Sequence, residues 1–69
     1  MQDIERLVKM ANQIAENFSF HEDSVDRTLD HISRFWAPSM RERIIGHARG
    51  GGEGLNPTAL AAVQKLTGA

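Results

Sequence analysis

The stretch His31-Ile32-Ser33-Arg34-Phe35-Trp36-Ala37-Pro38-Ser39-Met40 decides the fold, because one helical pattern stops inside it and another begins. It holds the only Trp, one of three Phe and one of two Pro in the chain. A residue before proline is pushed out of α geometry, while proline itself suits the first helical position, so Ala37-Pro38 predicts a corner between two helices. A large aromatic at such a joint can touch several helices at once, and a small helical domain closed around Trp36 is the expectation. Phe35 stands about 100° round the helix from Trp36, on the flank of Thr28 and His31. If Trp36 enters the core, Phe35 does not.

Working back from the corner, Val25, Leu29, Ile32 and Trp36 form the inner stripe of a helix expected to begin at Ser19 or His21. Glu22, Asp23 and Asp26 lie near its positive end and Arg34 near the other. Before it, Ile4, Leu7, Val8, Ala11, Ile14, Ala15 and Phe18 follow the helical i, i+3, i+4, i+7 template, with Asp3 as N-cap, Glu5 and Lys9 four apart, and Asn12, Gln13 and Glu16 toward water. After the corner, a helix from Pro38 presents Met40, Ile44, Ile45 and Ala48 on one side. It ends at Gly50-Gly51-Gly52-Glu53-Gly54, a stretch suited to a C-cap and a flexible link. Asn56-Pro57 then supplies a cap and a first residue for a last helix with Leu60, Val63 and Leu66 inward and Gly68 as terminator. The fold class is all-α: a small bundle of about four short helices, one domain over residues 1–69, with a Pro-containing corner and a Gly-rich link before the last helix.

Sixty-nine residues can enclose only a small core, and domains of this size rely on a staple or a partner. With no cysteine there is no disulfide framework and no thiolate metal site, which fits the cytoplasm. Acids near the start oppose a signal peptide, and no stretch approaches membrane-span length. Eight basic against nine acidic residues argue against a general polyanion binder.

Little in the sequence carries chemistry. The glycine stretch lacks the Gly-Lys-Ser/Thr of a phosphate loop, and Asn56-Pro57 would use or remove the N–H groups a phosphate needs. His21, His31 and His47 show no i, i+4 pairing for a metal. Glu22, Asp26 and Asp30 share a face, but Asp23 with Arg27 and Asp30 with Arg34 fit solvated ion pairs. The serines lie in no nucleophile motif and a bundle this small has little room to enclose a substrate, so catalysis is not expected. The alternative function is a small helix-turn-helix-like nucleic-acid-binding regulator using Arg41, Arg43 and Arg49, although those side chains do not share one face and the preceding helix is acidic. Phe20, Phe35, Met10 and Leu55 remain as apolar surplus, the composition of a protein-binding face.

Met10-Ala11-Asn12-Gln13-Ile14, His31-Ile32-Ser33-Arg34-Phe35-Trp36 with Pro38 and Met40-Arg41, then His47 and Gly51-Gly52-Glu53-Gly54-Leu55-Asn56-Pro57, resemble the delta subunit of NAD-dependent, molybdenum-containing formate dehydrogenases. The resemblance spans nearly the whole chain. It implies a bacterial, cytoplasmic, non-catalytic accessory subunit that aids assembly or stability of the complex and cofactor insertion. Molybdenum cofactor, iron–sulfur clusters, flavin and NAD are then implied in the partner subunits and none in this chain, in keeping with its lack of cysteine. The expected partner is the catalytic subunit, with a homodimer in isolation. Phe35, Met40, Arg41 and Leu55 are the expected contacts, and Trp36, Pro38, Asn56 and Pro57 the structural corners. Where the family commonly has Trp-Asp-Pro-Arg-Met, this chain has Trp36-Ala37-Pro38-Ser39-Met40, so the third helix loses its capping carboxylate and an Arg.

Overall fold

A computed structural model describes residues 3–67 and contains α1 (Ile4–Asn17), α2 (Ser24–Phe35), α3 (Pro38–Arg49) and α4 (Pro57–Thr67), with no strand among the described residues. The all-α bundle, the corner and the glycine-rich link are those expected. Asp3 caps α1, its side chain accepting from the Glu5 N–H at 3.2 Å. Ala37 is extended, at φ −65° and ψ 151°, and Pro38 opens α3. Asn56 caps α4, accepting from the Ala59 N–H at 2.8 Å. The terminator expected at Gly68 falls outside the described residues.

Helix α2 starts later than Ser19 or His21. The end of α1 unwinds into tight turns, with Ser19 N–H donating to Glu16 O at 3.1 Å and His21 N–H donating to Phe18 O at 3.0 Å. Both residues are spent closing that turn, and α2 begins only at Ser24.

The four helices share one core, in which Leu7, Ile32, Ile44 and Val63 are fully enclosed, one from each helix. Burying a side chain of this size stabilises by about 1.5–3 kcal/mol, so these four form the energetic centre. Trp36 is buried in the same core, 5% exposed, as its place at the corner predicts. Thr28 is also fully enclosed, where the sequence placed it on a flank. Its hydroxyl donates to Ser24 O at 2.8 Å, which satisfies the one polar atom that burial would otherwise strand.

Helix α4 packs on all three other helices, most extensively on α2. Its enclosed residues are Ala59, Ala62 and Val63, while Leu60 and Leu66 are only half-buried. Alanines let the backbones approach closely, and the leucines fill the edges. Lys65 adds an ion pair to Asp26 of α2 at 2.8 Å.

The link before α4 is a built structure and not slack chain. Gly51 N–H donates to Ala48 O at 3.1 Å and Gly52 N–H donates to His47 O at 2.9 Å, the paired bonds of a Schellman C-cap. Gly52 is held to glycine by its backbone, and any side chain there would also push Leu60 aside. Its φ is +66°, and a Cβ there would meet Leu60 Cδ1 at 2.5 Å.

Candidate docking surface

Two cross-links hold the link against the bundle. The Asn12 side-chain amide of α1 donates to Gly54 O at 2.8 Å, and its oxygen accepts from the Asn56 N–H at 2.8 Å. His47 of α3 reaches Glu53 O at 2.7 Å, with its Nε2 as donor because a carbonyl only accepts. Asn12 is therefore a clamp and not one of the wet-side residues expected from periodicity. The signal was its place one turn after Val8, at the edge of the apolar stripe. An open groove of about 540 Å³ runs beside these cross-links, with Ile4 and Val8 among its walls and Lys9, Glu5 and Glu53 at its margins.

At the corner, the Arg41 guanidinium donates to Trp36 O and, at 3.3 Å, to Ser33 O. These carbonyls end α2 without helical partners, and a cation suits that negative end. Arg41 thus ties α3 back onto α2, while Arg43 and Arg49 are exposed on α3. Met40 and Leu55 are half-buried against the core, as is Met10. The expected contact residues therefore have different surroundings: Phe35 is 72% exposed, Arg41 is engaged at the corner, and Met40 and Leu55 line the core edge.

The apolar surplus reduces to Phe20, 96% exposed, and Phe35. Phe35 ends a run of rings: its centroid lies 4.8 Å from that of His31, His31 meets Phe18 edge-on at 6.4 Å, and Phe18 lies 6.1 Å from His21. This face crosses from the α1–α2 turn to the C-terminal end of α2. Residue periodicity had placed His31 beside Phe35, but the link to Phe18 and His21 depends on how α1 and α2 pack.

Beside this face run the ion pairs Asp23–Arg27 at 2.7 Å and Asp30–Arg34 at 2.8 Å, both at the expected i, i+4 spacing. The hydrogen bond from Arg27 holds the Asp23 carboxyl below the usual carboxylate range. Its folded-state pKa is depressed, so the support it lends is present at neutral pH and fades only as pH falls through that lowered value. Among the described residues, no group of three or more His, Asp or Glu is placed to hold a metal ion. No described helix is long and apolar enough to cross a membrane.

Fold and surface define a small all-α protein whose most distinctive exposed feature is an aromatic face. Residues 6–63 match the family described as the NADH-dependent formate dehydrogenase delta subunit, FdsD, and the chain belongs to that family. No curated protein and no solved structure matches it.

Proposed function

We propose that this chain is a non-catalytic accessory subunit that docks on the catalytic subunit of an NAD-dependent formate dehydrogenase and aids assembly or stability of the complex, including insertion of its cofactor. The observation that carries the reading is the family match over residues 6–63. It is supported by a chain without cysteine and by two strongly exposed phenylalanines. The molybdenum cofactor, iron–sulfur clusters, flavin and NAD sit, in this reading, in the partner subunits, and the work is done in the bacterial cytoplasm. This chain's own contribution is shape: a folded scaffold that presents an apolar face to a larger subunit.

The test is to produce the other formate dehydrogenase subunits with and without this chain, and to measure the yield of assembled complex and its molybdenum content. Omission lowers assembled yield or molybdenum occupancy, and restoring the chain returns it. Equal yield and equal occupancy in both preparations would contradict the accessory role.

A further inference from the structure

The exposed aromatics are not spread evenly over the charge of the molecule. Residues 1–36 carry seven carboxylates against four cations, whereas residues 37–69 carry two against four. Phe20 projects from the acidic half, at the α1–α2 turn. Around that turn stand Glu16, Glu22, Asp23 and Asp26, and the first following cation is Arg27. Arg27 is committed to Asp23, and Lys65 reaches across to Asp26. Glu16 and Glu22 are exposed, and neither forms an ion pair among the described residues. The turn therefore presents a protruding aromatic with acidic residues around it in the chain, at the end of the molecule where the Phe18–His21 ring contact lies.

We propose that this turn is the docking epitope, Phe20 its anchor, and that it seats in an apolar pocket rimmed by lysine or arginine on another formate dehydrogenase subunit. The proposal rests on the delta-subunit reading above and adds where the contact lies and what its counterpart is made of. Interfaces concentrate their energy in a few buried aromatics ringed by polar groups, and a phenylalanine at a turn tip can enter a pocket without any helix moving. Charge chooses the occupant. A second copy meeting it turn to turn would bring Glu16 and Glu22 against themselves, and a nucleic acid would bring phosphates, and both juxtapositions repel.

The test titrates fluorescently labelled full-length chain against the formate dehydrogenase assembly purified without it, at several salt concentrations. Wild type binds, and binding weakens as salt rises. Phe20→Ala weakens binding about tenfold or more while leaving the helical circular dichroism and thermal midpoint of the free chain unchanged, because the ring makes almost no contact with its own fold. Glu22→Lys slows association and flattens the salt dependence. If wild type binds and both variants match it, the epitope is elsewhere and this inference falls while the subunit reading stands. Failure of wild type itself to bind would overturn both. A free chain that dimerises, and loses the dimer in Phe20→Ala, would instead assign the face to a second copy.

Discussion

Asn12 shows how much one polar side chain settles in a domain this small. Its amide satisfies a carbonyl and an N–H of the segment that leads into α4, and it does so across more than forty residues of chain. Removing it leaves the exposed Gly54 carbonyl to water but strands the part-buried Asn56 N–H, which costs about 1–3 kcal/mol. Asn12→Ala is expected to lower unfolding stability by that amount in a urea titration, whereas Gln13→Ala, one residue along on the exposed side, shifts it by less than about 0.5 kcal/mol. Equal midpoints for the two variants would remove the clamp from the account. Thr28 and Asn12 mark where periodicity misread single residues. Both fit the apolar spacing of their helices but are polar, and a pattern that sorts by polarity assigns such residues to water. Only their hydrogen-bond partners, Ser24 O within α2 and the distant Gly54–Asn56 segment, reveal that burial costs them little.

The helices and their ends were largely legible, because caps and prolines act through the next three residues. Asp3, Pro38, Asn56-Pro57 and the glycines after Arg49 all stand where those rules put them. The start of α2 was not legible, since whether Ser19 caps a new helix or closes the old one depends on which carbonyls it meets. Helix α3 has an unfilled position: Ala37 is exposed, extended and at the N-cap, yet brings no side-chain acceptor. Ala37→Asp is expected to stabilise the chain by about 0.5–2 kcal/mol by accepting a first-turn N–H of α3. As a guide, about 1 kcal/mol corresponds to roughly 4–8 °C in a domain of this size. The sole tryptophan reports the transition, and an unchanged or lower melting midpoint would mean that Arg41 and Pro38 already satisfy this corner.

For the whole molecule, the division of labour between neighbours Trp36 and Phe35 links stability to function. Trp36→Ala opens a cavity in the core and is expected to cost about 3–5 kcal/mol. That is most of what so small a core supplies, so the variant is unfolded or nearly so by circular dichroism. Phe35→Ala removes a ring that is mostly in water, leaves the melt unchanged, and weakens association with the partner. The all-α class and the inward turn of Trp36 were readable because both follow from spacing along the chain. The continuous aromatic face was not, because Phe18 and His31 come from different helices. Nor were the alanines of α4, whose small size marks close approach only once the partner helix is known. The central claim, that this chain is a docking subunit, is tested most directly by co-expressing it, tagged, with the formate dehydrogenase catalytic subunit from the same source. Size-exclusion chromatography with light scattering then reads the ratio of the two. The account predicts one peak containing both in a fixed ratio. Separate elution, even with the remaining subunits and cofactor supplied, would contradict it.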